Sequence, residues 1–202
     1  MYLLEYPGMV DTNEKLTWGS GSLDDLDVKG KIVLCGKGLT DDVEKSKVVN
    51  AAGGAGLIVL NQVWDGFTVE SFLYIIPTAR IKHEDALKIV DCFKPSKNPT
   101  ATIIFKGTRF SSCMSPSVAS FSSGGPSLQN GGIMKPDIIG PGVDILGAWH
   151  TTVGAGGVHP SKSAYNFASG TSMATPHFVR VVALILRASI QNGLMLQPNR
   201  QS

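Results

Sequence analysis

Two short apolar runs on either side of a helix-spaced segment restrict this chain more than any other feature. Ile32-Val33-Leu34-Cys35 follows Gly30-Lys31, and Leu57-Ile58-Val59-Leu60 follows Gly53-Gly54 and Gly56. Runs of this length and composition read as buried strands. Between them, Val43, Lys47, Val48 and Ala51 fall at helical spacing. Asp41 and Asp42 stand where a helix start exposes unpaired amides, and the glycines end the helix near Ala52. Further on, Ile75 to Ile81 reads as a third strand that passes through Pro77, and Glu84 to Phe93 as an amphipathic helix stopped by Pro95. Thr100 to Lys106 is β-branched and apolar and reads as a closing strand. From about Trp18 to Gly107 the chain is therefore expected to form a compact α/β unit of domain size.

The texture changes from Thr108 onward. Ser, Gly and Pro cluster between Ser111 and Gly142, a composition common in linkers. Val118-Ala119-Ser120-Phe121 interrupts the cluster, and Asp144 to Trp149 follows it, so ordered turns between short strands are expected. A long helix is predicted from Thr171 to about Gln191. It is apolar on nearly every face and is expected to be a buried central helix. The polar tail, Gln191 to Ser202, is expected to fray.

Several function classes are excluded by composition. Hydrophobic residues make up 43% of the 202 and charged residues 17%, which argues for a packed core and against disorder. The formal charge is +2 with no basic run, so no nucleic-acid partner is expected. The longest strongly apolar stretch, Val181 to Leu186, lies between Arg180 and Arg187, far short of the ~20 residues of a membrane span. Met1 to Pro7, with an early Glu5, does not read as a secretory signal. Cys35, Cys92 and Cys113 show neither zinc spacing nor a CxxC pair, and read as small buried hydrophobes. Asn98-Pro99-Thr100 fails the glycosylation rule because of its proline. No carboxylate cluster has calcium spacing, and no cofactor or metal is expected.

The chemistry sits in Ser169-Gly170-Thr171-Ser172-Met173-Ala174-Thr175-Pro176-His177. A serine hydroxyl is a weak nucleophile until a base takes its proton. Placed at the first turn of a helix after a glycine, it gains a sharp approach and a set of free backbone amides. Those amides can stabilise an oxyanion on an attacked carbonyl. Pro176 is expected in the first turn, where its missing amide proton costs little. On its own, a Gly-Thr-Ser at a helix start is an N-cap.

The full string closely resembles the subtilisin-family signature G-T-S-M-A-x-P-H. Val118 to Pro126 resembles the V-A-x-F-S-S-R-G-P segment of plant subtilases, with Gly124 in place of Arg. Lys135 to Leu146 resembles their K-P-D-I-x-A-P-G-V-x-I-L segment, with Gly140 in place of Ala. Upstream, Val28 to Cys35 and Ala52 to Ile58 resemble the protease-associated (PA) domain that plant subtilases carry inserted in their catalytic domain. The matching segments run in the family's order across about residues 6 to 188.

The resemblance implies an α/β fold: part of a subtilisin-like parallel-sheet catalytic domain, preceded by a compact PA-like unit. The implied division is an N-terminal segment 1–17, a PA domain 18–107, catalytic-domain residues 108–190 and a tail 191–202. It also implies peptide-bond hydrolysis through an acyl-enzyme on Ser172, a peptide or protein substrate, an extracellular parent protein and a possible homodimer through the PA domain. The family's triad runs Asp, His, Ser along the chain, and the Asp and His find no match here. The family's histidine sits in a G-H-G-T-H-like string, and none of His83, His150, His159 and His177 does. Asp11-Thr12-Asn13 resembles the aspartate motif but lacks its glycine. His177 is five residues beyond Ser172, about 500° around a helix, so the two side chains diverge. The asparagine of the oxyanion hole also precedes the matched region. Arg180 replaces a small residue on the helix behind the serine. The expectation is a serine-endopeptidase fragment inactive on its own, or else a non-catalytic PA-type binding or dimerisation module.

Overall fold

The computed structural model describes residues 1–6, Leu23, 25–38, 40–107, 116–150 and 163–191. Asp11-Thr12-Asn13, Cys113, His159 and the tail beyond Gln191 lie outside the described residues. By internal contacts the chain divides into two compact units. One is Met1–Ser120 with Ala148–Asn166, and the other is Phe121–Gly147 with Phe167–Ser202.

In the first unit, β1 (Tyr2–Glu5), β2 (Ile32–Gly36), β3 (Gly56–Leu60), β4 (Thr78–Ile81) and β5 (Thr100–Ala101) form one sheet in the order β4-β3-β2-β1-β5. The first four pair in parallel and β5 runs antiparallel to β1. Alternation along β2 and β3 explains the unbroken apolar runs. Val33, Cys35, Leu57 and Val59 face one core with Val48 and Val49 of α1 (Asp42–Ala51). Ile32, Leu34, Ile58 and Leu60 face a second core with Ala86 and Val90 of α2 (His83–Phe93). A sheet buried on both faces has no polar face to show, so alternation disappears from the sequence. Asp41 caps α1 by accepting a 2.7 Å hydrogen bond from the Val43 amide. Gly53, at φ +80°, carries the chain out of α1 in a backbone region that other residues reach only with strain.

Three expectations change. Pro77 has no amide to give the ladder, so β4 starts at Thr78, although the Pro77 carbonyl already accepts from Leu57 at 2.9 Å. The closing strand shortens to Thr100–Ala101 because its partner β1 meets it only through Tyr2 and Leu3. Val118 to Phe121 forms no strand. It runs into a turn in which the Ser120 amide donates to Thr68 Oγ1 at 2.7 Å.

A charged network is buried between α1 and β4. Lys45 is 0% exposed, and its Nζ donates to Asp42 Oδ1 at 3.0 Å and to the Gly36 carbonyl at 3.1 Å. Arg80 Nη1 lies 3.7 Å from Asp42 Oδ2 and donates to Glu70 at 3.1 Å. Its Nε donates to Asn61 Oδ1, whose amide in turn donates to the Thr68 carbonyl. The network fixes residues 61–70 from beneath.

Cys35 lies in the core, as expected, whereas Cys92 is exposed. Burial pushes the Cys35 thiol up to about 12, so the nucleophilic thiolate is absent at neutral pH. In a Cys92→Ser, Cys113→Ser chain, Cys35 is expected to ignore Ellman's reagent while folded and to react fully in denaturant. Rapid reaction of the folded chain would contradict the burial.

Farther along the chain, β6 (Ile145–Ala148) and β7 (Tyr165–Ala168) pair as a two-stranded sheet. A 3-10 turn covers Leu128–Asn130, and α3 spans Thr171–Gln191. The helix has its predicted bounds, but it is not buried. No residue of α3 is enclosed, and Val182, Leu184 and Ile185 are each more than half exposed. Arg180 and Arg187 are seven residues apart, two helical turns, and so share one stripe. As exposed side chains they carry no burial penalty in this chain.

Candidate active site

The approach to α3 is held by hydrogen bonds within the second unit. The Gly170 amide donates to the Gly142 carbonyl at 2.8 Å, and the Asp144 amide donates to Ser169 Oγ at 2.9 Å. A β-carbon on Gly142 would stand 2.9 Å from the Gly170 carbonyl oxygen, so only glycine lets the two segments approach this closely. Gly170 takes φ +151°, outside the range of ordinary side chains. The chain then turns at once into α3, where the Met173 amide donates back to the Gly170 carbonyl at 3.0 Å.

Ser172 is the second residue of α3 and is exposed. Among the described residues no hydrogen bond engages its hydroxyl. The first amides of a helix have no intrahelical partner, and the helix dipole makes that end positive. The serine is thus presented to solvent beside donors suited to an oxyanion.

Pro176 does not sit in the first turn. It lies inside α3, five residues after Thr171. Its missing amide leaves the Ser172 carbonyl without its usual i+4 donor. Two side chains bond to neighbouring carbonyls in this stretch: Thr175 Oγ1 donates to Thr171 at 3.0 Å, and His177 Nδ1 lies 3.0 Å from the Met173 carbonyl. A carbonyl can only accept, so Nδ1 carries the proton, and His177 is tied to its own helix. His83 is in the first unit, with Nδ1 3.2 Å from the Asn61 carbonyl. His150 is exposed and assigned to the first unit. Among the described residues, no histidine is hydrogen-bonded to Ser172.

One coupling was not legible in the sequence. A β-carbon on Gly140 would lie 2.5 Å from Phe178 Cζ on α3. Glycine at 140, where the resembling segment has alanine, leaves room for that ring. The signal was visible as a departure from the pattern, but its partner became apparent only in three dimensions.

Comparison with known proteins agrees with the motif. The signature of the subtilase family, peptidase family S8, matches residues 20–199. Subtilisin-like protease SBT1.5 of Arabidopsis thaliana is 39% identical over 199 residues, covering 93% of this chain and 26% of the relative. SBT1.6 of the same plant is 37% identical over 190 residues, covering 93% and 25%, and SBT1.4 is 40% identical over 171, covering 83% and 22%. The chain spans about a quarter of the length of these relatives. A match over most of the chain, with the serine string at the start of α3, makes this polypeptide a member of the plant subtilase family of serine peptidases.

Proposed function

We propose that this chain is the nucleophile-bearing part of a serine endopeptidase, with Ser172 as the nucleophile. The observation that carries this reading is the exposed Ser172 hydroxyl on the first turn of α3, within G-T-S-M-A-x-P-H. In the reaction, Ser172 Oγ attacks a peptide carbonyl, its proton passes to a base, and the amine leaves to give an acyl-enzyme that water hydrolyses. Amides of the first turn of α3 stabilise the oxyanion. The base and its orienting aspartate come from polypeptide outside these residues, so the chain alone is inactive. Peptide or protein is the substrate, and the parent enzyme acts outside the cell.

The test is a chimera in which the part of SBT1.5 preceding the matched region is joined ahead of residue 1. Hydrolysis of a fluorogenic peptide that disappears with Ser172→Ala supports the reading. Hydrolysis that survives Ser172→Ala refutes it.

A binding role for the first unit, as a PA-like module, is favoured by a separate observation. The segment between β3 and β4 exposes Val63, Trp64, Phe67, Phe72 and Leu73 above the buried Asn61–Arg80–Glu70 network. A rigid apolar surface of this kind fits a second copy of the chain. Sedimentation should then show a dimer that Trp64→Ser dissociates, and a monomer at all concentrations would remove this role.

A further inference from the structure

We infer that Ser169 and Asp144 are positioning residues for Ser172, forming a clamp that fixes how the chain enters α3. This rests on the reading of Ser172 as nucleophile and names the groups that hold it in place. Ser169 stands three residues before Ser172 and Asp144 lies on the strap that precedes β6, so both belong to the second unit.

The clamp closes in both directions. Ser169 Oγ accepts from the Asp144 amide at 2.9 Å and donates to Asp144 Oδ1 at 3.3 Å. Asp144 sits at φ +50°, the one described non-glycine residue with positive φ. That conformation is strained for a residue with a side chain and persists where surrounding contacts impose it. Aspartate and asparagine tolerate it better than most, because their short polar side chains can bond locally. Two residues earlier, the Gly142 carbonyl accepts from the Gly170 amide at 2.8 Å. The strap 142–144 therefore grips 169 and 170 through three hydrogen bonds. The Gly170 carbonyl it orients receives the first helical amides, Met173 at 3.0 Å and Ala174 at 3.3 Å.

Ser172 has little else to fix it. No residue of α3 is enclosed, and no hydrogen bond among the described residues holds the hydroxyl. The direction of its Cα–Cβ bond follows from the backbone at 169–171. Losing the Ser169 hydroxyl would free Asp144 from its strained conformation, loosen the Gly142–Gly170 bond and let the helix start fray.

Hydrogen exchange on the full chain tests this. Ser169→Ala is expected to speed exchange roughly tenfold at the Asp144 amide and also at the Gly170 amide, whose own acceptor is untouched. Exchange at Val181–Leu186 should not change. Ser169→Thr and Asp144→Asn, which keep a hydroxyl and a short polar acceptor, should restore protection, and Asp144→Ala should not. Unchanged exchange at Gly170 in Ser169→Ala overturns the inference. So does an equal acceleration throughout α3, which would mark general destabilisation. In the SBT1.5 chimera, Ser169→Ala is expected to lower kcat with KM unchanged. If the exchange pattern holds but the unsubstituted chimera shows no Ser172-dependent hydrolysis, the clamp stands and the nucleophile reading fails.

Discussion

Asp42→Ala is expected to destabilise the first unit by about 3–5 kcal/mol, the range for removing one partner of a buried ion pair. The Asp42 carboxylate lies between Lys45 Nζ at 3.0 Å and Arg80 Nη1 at 3.7 Å, with all three side chains at 5% exposure or less. Without it, two enclosed cations keep, among the described residues, a single carboxylate, that of Glu70. Asp42 also stands in the first turn of α1, where its charge adds about 0.3–1 kcal/mol through the helix dipole. A domain's whole stability is about 5–15 kcal/mol, so the loss is a large fraction of it. Urea unfolding followed by far-ultraviolet circular dichroism measures it. Asp42→Leu combined with Lys45→Met should recover much of the loss, because it removes the stranded ammonium along with its partner. A cost below about 1 kcal/mol, typical of exposed pairs, would show that water reaches these ions.

Peptide hydrolysis by the chain alone is expected to fall about 10⁶-fold below that of the SBT1.5 chimera, the cost of losing the catalytic base in subtilisin. A smaller deficit would arise if one of the chain's own histidines served as base. His177 is a poor candidate for that role, because it stands five residues, about 500°, around α3 from Ser172 and its Nδ1 is bonded to the Met173 carbonyl of its own helix. Loss of one oxyanion-hole donor costs roughly 10²–10³ where its effect is separable. Rates of residues acting as a unit do not multiply, so the base alone sets the expected figure. The comparison requires Ser172→Ala in both chains, so that trace contaminating protease is subtracted.

The local signals in the sequence were faithful. β2, β3, α1 and α2 lie where apolar runs, acidic helix starts and glycines put them. Their character is set by neighbours in sequence, and those are visible. Pairing across distance was not. Tyr2–Glu5 carries no turn or periodicity signal, yet it becomes a strand between β2 and β5. Val118–Phe121 looks like a strand but finds no ladder. Helix α3 shows the limit most clearly. Its composition reports an environment the helix is suited to, and its exposure reports what this chain supplies. At the site, the serine string stands at the start of α3, where the sequence put a helix start. Ser169, Asp144 and the Gly140–Phe178 fit could not be read there, because each depends on segments more than twenty residues apart meeting in space.

Mapping fluorophosphonate adducts by mass spectrometry tests the central claim most directly, with the chain alone and the chimera treated side by side. The claim is that position 172 bears a nucleophile in full view, silent only for want of a base. The predicted outcome is an unmodified chain and a chimera phosphonylated at Ser172. Modification of Ser172 in the chain alone, or of a different serine in the chimera, would contradict it.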